Sequence, residues 1–299
     1  MNRPALSPST IFLLTVPPVL WAGNAIVGRL VRDAVPPMTL NLIRWTIALA
    51  VLVPLGRAAF RAGSGVLANW RRYALLGLLG VGLYNSLQYL ALQSSTPINV
   101  TLVASGIPVW MLLVGRFFYG IPVKRKQVVG AVLSIAGVLV VLCRGDVEQL
   151  LQLRMVRGDL YMILATIAWS FYSWMLMQQK DAPGLRADWA AFLLAQVAYG
   201  VLWSAALSGG EWALQGVQIA WSWPLLAALL YVALGPAILA MRCWGAGVQR
   251  AGPSIGAFFI NLTPLFTALL SSAFLGEAPH AYHVLAFGLI VGGIFVSAR

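Results

Sequence analysis

The chain has 299 residues, 60% of them hydrophobic and 9% charged, with a formal net charge of +12. Soluble domains carry about 25% charged residues, so a soluble fold of this length is excluded and a polytopic helical membrane protein is expected. The positive balance does not mark a nucleic-acid binder, because the basic residues sit in short connectors between apolar runs and build no continuous face.

A helix needs roughly 20 apolar residues to cross the hydrocarbon core, and that ruler gives ten spans in chain order. Span 1, 11–30, carries Pro17, Pro18, Trp21 and Asn24; it runs past the length of a signal h-region without a convincing cleavage site, so it reads as a retained helix. Span 2, 39–57, carries Arg44, and the long connector 58–71 follows. Span 3, 72–93, has Tyr84, Asn85 and Gln88, with Tyr84 and Gln88 on one face. Span 4, 97–118, contains VASGIPVWMLL, where Ser105, Gly106 and Pro108 stand in a stretch that should stay helical. Proline inside a helix costs about 3 kcal/mol, and in lipid the freed carbonyl has no water to turn to. Span 5 is 127–144, and 145–157 joins the halves as a short interfacial helix. Span 6, 158–179, holds Trp169. Span 7, 188–207, precedes the second long connector, 208–223. Span 8, 224–247, holds Pro236 and Arg242; span 9, 253–275, holds Asn261, Thr263 and Pro264; span 10, 281–298, holds Gly288 and Gly292. Cys143 and Cys243 lie at or inside spans and read as free small hydrophobes, not as a disulfide or a metal site.

Lys and Arg set the orientation. With a cytoplasmic N-terminus, thirteen of the 20 basic residues fall on the cytoplasmic side, from Arg3 to Arg299. Five (Arg29, Arg32, Arg144, Arg154 and Arg157) fall outside, and Arg44 and Arg242 lie within spans. Both termini are therefore expected in the cytoplasm.

Sliding the sequence against itself by 156 residues puts PINVTLVASGIPVWMLLVGRFFYG on PSIGAFFINLTPLFTALLSSAFLG, with Pro97 on Pro253, Pro108 on Pro264 and Gly120 on Gly276. At an offset of 148, Trp21 meets Trp169. Two halves, 1–147 and 148–299, thus hold five spans each; five is odd, so the second half enters the membrane from the opposite side. This is the inverted-repeat construction of many secondary transporters, in which the site lies at the midplane between the repeats. Trp21, Tyr84, Pro108, Trp169, Pro236 and Pro264 all fall near the middle of spans 1, 3, 4, 6, 8 and 9, whereas spans 2, 5, 7 and 10 read as plain packing helices. Broken backbone at membrane depth is tolerated where it is buried in protein or lines a wet cavity. Pro108, Pro236 and Pro264 are accordingly the expected kinks or hinges around a central cavity.

Trp21, Asn24, Tyr84, Gln88, Ser105, Pro108, Trp169 and Asn261 are the candidate substrate-binding residues, with Trp110 a further ring: aromatic walls with a few hydrogen-bonding groups, suited to a small solute with an apolar side chain and a polar head. Arg44 and Arg242 could anchor a carboxylate, but snorkelling to the headgroups or a structural bond is the preferred reading. No Asp or Glu lies deep in any span; Asp159 and Glu277 belong to span ends, and His280 and His283 read as interfacial. There is thus no visible proton relay, and movement down the solute gradient, or coupling without a buried carboxylate, is expected. No phosphate-binding G-x-x-x-x-G-K-[ST] motif and no HExxH occurs, and neither a catalytic residue, a cofactor nor a metal is expected. Gly288 and Gly292 form a G-x-x-x-G, read as a contact within the bundle and less readily as a dimer seam.

Ten spans in a five-plus-five pattern, VLWAGNAIVGRL in span 1, the paired stretches from Pro97 and Pro253, and FLGEAP at 274–279 together resemble the EamA-type members of the drug/metabolite transporter superfamily. The aromatic spans look most like the YddG aromatic amino-acid exporters. FYGIP, the first-half counterpart of FLGEAP, lacks the acidic residue. The resemblance implies an all-α integral membrane protein, with spans 1, 3, 4, 6, 8 and 9 around a central cavity and spans 5 and 10 outside. It implies export of aromatic and other amino acids or related metabolites across the bacterial inner membrane by alternating access. The alternatives are a multidrug or nucleotide-sugar carrier of the same superfamily and a non-transporting membrane assembly protein. The expected partners are a small-molecule substrate and the lipid bilayer, with a monomer preferred over a dimer.

Overall fold

The computed structural model describes residues 6–31, 33–95, 97–143, 145, 146, 148, 156–275 and 281–298. Most of the 145–157 connector, residues 276–279 of FLGEAP, His280 and several of the counted basic residues (Arg3, Arg32, Arg144, Arg154, Arg299) lie outside the described residues.

The chain is helical throughout its described spans. Nine helical segments among the described residues are long and apolar enough to cross a membrane: Pro8–Gly28, Pro37–Leu55, Trp70–Ala91, Arg125–Leu142, Arg157–Met177, Trp189–Leu214, Trp223–Ala251, Pro253–Leu270 and Ala281–Ala298. The remaining expected crossing, span 4, is built from two pieces, Pro97–Ala104 and Ile107–Tyr119. Local chemistry sets the ends. Ser7, Ser222 and Asp188 cap spans 1, 8 and 7 by accepting backbone N–H bonds. Pro8, Pro37 and Pro253 open helices where the missing N–H costs nothing. Gly120 closes span 4 at φ +67°, a conformation that suits glycine.

Four spans are irregular near mid-helix. Span 4 breaks at Ser105–Gly106, two residues before Pro108, and span 9 turns at Asn261, three residues before Pro264. Each proline therefore sits in the first turn of a restarted helix, where it is tolerated. That answers the anomaly of VASGIPVWMLL. Spans 3 and 8 each contain a π segment, Leu78–Leu83 and Ala233–Leu239, the latter holding Pro236.

The packing is reciprocal. Span 5 lies along span 10, and span 2 along span 7. Span 1 packs on the C-terminal part of span 8, Ala240–Ala251, and span 6 on the C-terminal part of span 3, Tyr84–Ser94. At the span 5–span 10 seam, a Cβ on Gly137 would meet Ala286 O at 2.9 Å and Ile290, while a Cβ on Gly293 would meet Gly130 O at 2.6 Å and Ser134. The glycines are required because backbone meets backbone. Gly288 and Gly292 have open space around them, which corrects their reading as an intramolecular contact. The helix turns about 100° per residue, so Gly293 faces span 5 and its neighbour Gly292 does not.

Span 7 departs from expectation. It continues to Gln215, through residues read as connector, because its last turns grip span 2. The Glu211 carboxylate accepts from the N–H groups of Met38 (3.0 Å) and Thr39 (2.9 Å) and from the Thr39 hydroxyl (2.9 Å). Ser208 donates to Met38 O (2.9 Å), and Trp212 Nε1 to Thr39 Oγ1 (2.8 Å). An anion on the positive end of a helix dipole is stabilising. On the opposite face of the bundle, Asp181 in the span 6–7 connector accepts from Arg72 Nε (2.7 Å) and Nη2 (2.9 Å), Arg186 Nη1 (3.0 Å) and Tyr73 OH (2.8 Å).

Candidate functional site

The irregular helices converge on a knot of five rings. Trp169 of span 6 stands at its centre. Ring centroids lie 5.3 Å from Trp21 of span 1, edge-on, 5.1 Å from Tyr84 of span 3, 5.1 Å from Tyr172 one turn along span 6, and 5.6 Å from Trp244 of span 8. Trp21 and Trp244 are 5.8 Å apart. Offset and edge-to-face pairs of this kind contribute about 0.5–1.5 kcal/mol each beyond area burial. The backbone irregularities make room for them. The π segment of span 3 ends at Leu83, just before Tyr84, and a Cβ on Gly80 within it would lie 2.6 Å from the Tyr172 ring. The π segment of span 8 presents Pro236 O to the Trp21 indole N–H at 3.3 Å.

The polar tips of these rings divide into two sets. Trp244 Nε1 donates to Ser173 Oγ (3.2 Å) and Tyr172 OH to Gln196 Oε1 (3.0 Å). Trp169 Nε1 is buried without a partner, and neither Tyr84 nor half-buried Gln88, one turn away, makes a side-chain hydrogen bond among the described residues. Buried polar groups are normally satisfied, and among these rings the Trp169 indole N–H is the exception.

The two helix breaks meet each other. Asn261 Nδ2 donates to Ser105 O at 3.3 Å, across a separation of 156 residues, and to Ser134 Oγ of span 5 at 2.9 Å. The amide thus supplies a donor to a carbonyl at the span 4 break, while its own Oδ1 and the nearby Thr263 Oγ1 are buried without partners. Pro108 is buried beside Ile107, and Pro264 is half-buried. Trp110 is half-buried as well.

Asn24 lies one turn beyond Trp21 and accepts from Arg44 Nη1 at 3.4 Å. Arg44 is only 2% exposed, so of its two expected readings snorkelling is set aside and the structural bond, here to Asn24, is the one the structure holds. Arg44 shares a face of span 2 with Asn41, and that face packs inward, with Asn41 Nδ2 donating to Val81 O in the span 3 π segment at 3.3 Å. Arg242 is exposed and lies over the Trp189 ring, 4.2 Å to the centroid.

Two ring residues were not singled out from sequence, Tyr172 and Trp244. Tyr172 follows Trp169 at helical spacing. Trp244 stands from Gln88 at the same separation of 156 that relates Asn261 to Ser105, so the internal match carried the signal. Among the described residues no group of three or more His, Cys, Asp or Glu is placed to hold a metal ion, and Cys143 and Cys243 are free and buried.

The EamA-like transporter family matches residues 8–143 and again 156–299. The chain belongs to this family. Its relatives are named as transporters or exporters, which makes it an integral membrane transporter and not an enzyme. It is 26% identical to the aromatic amino acid exporter YddG of Ancylobacter novellus over 93% of both chains. It is 23% identical to a probable amino-acid metabolite efflux pump of Salmonella typhimurium, covering 96% of this chain and 93% of that one. An uncharacterized transporter, YyaM of Bacillus subtilis, is 23% identical over 85% of this chain and 82% of its own. A solved crystal structure superposes with a TM-score of 0.74 at 25% identity over 96% of each chain.

Proposed function

We propose that this EamA-family transporter exports aromatic and other small apolar amino acids or related metabolites across the bacterial inner membrane, by alternating access, with both termini in the cytoplasm. The observation that carries the proposal is the ring knot: Trp21, Tyr84, Trp169, Tyr172 and Trp244, drawn from four spans, surround the unpaired indole N–H of Trp169, and Tyr84 and Gln88 make no side-chain hydrogen bond among the described residues. An aromatic wall with a few unpaired polar groups suits an amino acid better than a nucleotide sugar, whose phosphates call for several cations. The relatives named as exporters of amino acids or their metabolites support the same substrate class.

Alternating access rests on reading residues 1–147 and 148–299 as two five-span repeats of opposite orientation. The reciprocal glycine contacts of spans 5 and 10, the helix interruptions in spans 4 and 9, and the π segments in spans 3 and 8 support that reading. Pro108, Pro236 and Pro264 then mark the places where each half can bend. Ser105, Pro108 and Asn261 belong to the joint between the halves, and Trp21, Asn24, Tyr84, Gln88 and Trp169 to the solute surface.

Counterflow into proteoliposomes, across a panel of amino acids, drugs and nucleotide sugars, tests the proposal. Uptake of L-phenylalanine and L-tryptophan without an imposed pH gradient is expected, because among the described residues no Asp or Glu stands in the middle of a span. Uptake confined to nucleotide sugars or drugs would refute the substrate class, and an absolute need for a proton gradient would refute the mechanism.

A further inference from the structure

Arg44 is a cation buried without an anion. Its guanidinium donates one long hydrogen bond, 3.4 Å, to the neutral Asn24 amide, and its carbon lies 5.2 Å from the centre of the neighbouring Trp45 ring. Its Nε has no partner. No carboxylate among the described residues lies within ion-pair distance of it. Glu211 is committed to Met38 and Thr39, Asp159 to the Val156 N–H, Asp181 to Arg72 and Arg186, and Asp188 to the Ala190 and Ala191 N–H groups. Asp33, Asp146 and Glu148 lie in connectors.

An unpaired buried charge costs several kcal/mol, and arginine cannot lose its proton to escape that cost. The fold tolerates the charge only where something is gained. The position of Arg44 indicates what. Asn24 follows Trp21 by three residues of one helix, about 4.5 Å along its axis, so the guanidinium stands one turn from the ring knot. That is roughly the span between the carboxylate and the ring of an aromatic amino acid. With Nη1 turned to Asn24 and Nε without a partner, the Nε/Nη2 edge of the guanidinium is the fork that takes a carboxylate in bidentate fashion.

We propose that Arg44, oriented by Asn24, binds the α-carboxylate of the transported amino acid while its side chain lies against Trp21 and Trp169. This deepens the exporter reading above and rests on it. The transporter is therefore selective for the free acid over the corresponding amide or amine.

The test is counterflow of labelled L-phenylalanine in proteoliposomes of the full-length protein, with unlabelled L-phenylalanine, L-phenylalaninamide and phenethylamine as competitors. In the wild type the acid is expected to compete at least about tenfold better than either analogue lacking the carboxylate, the scale of a charge-assisted hydrogen bond. Arg44→Gln should erase that preference and raise the KM for the acid by a similar factor. Asn24→Asp supplies a fixed carboxylate to Arg44. It should raise the thermal midpoint of the substrate-free protein and weaken the acid at least about tenfold; this arm decides the matter if Arg44→Gln does not fold. An unchanged KM and acid preference in Arg44→Gln would overturn the anchor, as would Asn24→Asp protein that binds the acid normally. Competition by acetate or chloride as strong as that of L-phenylalanine would overturn it too, assigning Arg44 to a bulk anion. If the wild type moves neither the acid nor its analogues, the exporter reading itself fails, and the anchor with it.

Discussion

Asp181→Asn offers a sharp perturbation of how the two halves are pinned together on one face. The Asp181 side chain is fully buried and takes four hydrogen bonds, two from Arg72 at 2.7 and 2.9 Å, one from Arg186 at 3.0 Å and one from Tyr73 at 2.8 Å. Both guanidiniums also bond the C-terminal carbonyls of span 6, Arg72 to Met175 O and Gln178 O and Arg186 to Leu176 O and Gln178 O. They cannot swing away without leaving those carbonyls unpaired. Asparagine keeps the shape but leaves two cations facing each other with no counter-charge. Removing one partner of a buried ion pair costs about 3–5 kcal/mol; with Arg72 and Arg186 retaining 10% and 18% side-chain exposure, the lower end, about 3 kcal/mol, is expected. Thermal unfolding of purified protein in detergent should show a midpoint several degrees lower. Arg186→Gln placed on top of Asp181→Asn should recover part of the loss, because one surplus charge is gone. The pH dependence has a definite sign. Burial pushes the Asp181 carboxyl up, but hydrogen bonds from Arg72 and Tyr73 and the charges of Arg72 and Arg186 outweigh it and hold the group below the ordinary carboxylate range. A carboxyl depressed in the folded state stabilises above its unfolded pKa of about 4. That stability is lost as pH falls through the lower folded value, so the wild type should show no change from this group between about pH 5 and 8. Asp181→Asn should be short of stability across that range, and the gap should close only in acid. A midpoint within a degree of wild type at pH 7 would refute the reasoning.

Three further outcomes follow from contacts described above. Trp169→Ala removes the hub of the ring knot. It should cost about 3–5 kcal/mol of stability and reduce transport of aromatic solutes more than aliphatic ones, and Tyr84→Ala should shift the same selectivity with less damage. Unchanged aromatic uptake in both would remove the knot from the solute path. Gly293→Val drives a side chain into Gly130 O, 2.6 Å from the ideal Cβ position, and should cost about 1–3 kcal/mol by overpacking, whereas Gly292→Val, in open space, should leave the thermal midpoint where it is. Glu211→Gln withdraws the anion from the N-terminus of span 2 and should lower stability by about 1 kcal/mol, read by the same melting assay.

Hydropathy was enough to find the crossings, because in lipid every span must be long, apolar and internally hydrogen-bonded. Proline marked the interruptions of spans 4 and 9 to within three residues, since it lies just inside the restarted helix and not at the break itself. The π segment at Leu78–Leu83 carries no proline and left only Gly80 and Gly82 as a trace. Span 7 ran on through Gly209, Gly210 and Glu211, residues that read as connector, because helix there depends on the N-terminus of span 2, a partner 173 residues away. The snorkelling alternative for Arg44 and the contact expected of the Gly288–Gly292 pair failed for one shared reason. Depth along a helix is legible from the ends of a span, but the face a residue turns to its neighbours is set by tertiary packing, and one residue of rotation carries it from a helix contact to open lipid.

The site follows the same logic at closer range. Each local rule broken in mid-membrane is met by a group from a distant segment. A carbonyl at the Ser105 break accepts from Asn261, Pro236 O in the span 8 π segment accepts from Trp21, and Val81 O in the span 3 π segment accepts from Asn41. In a bilayer these bonds replace the water a soluble protein would use, which is why the irregular backbone must lie where helices meet and cannot face lipid. Bonds of this kind are individually modest, roughly 1 kcal/mol net. Under the alternating-access proposal a joint of that strength is what is required, firm enough to order the rings and weak enough to be exchanged when one half moves against the other.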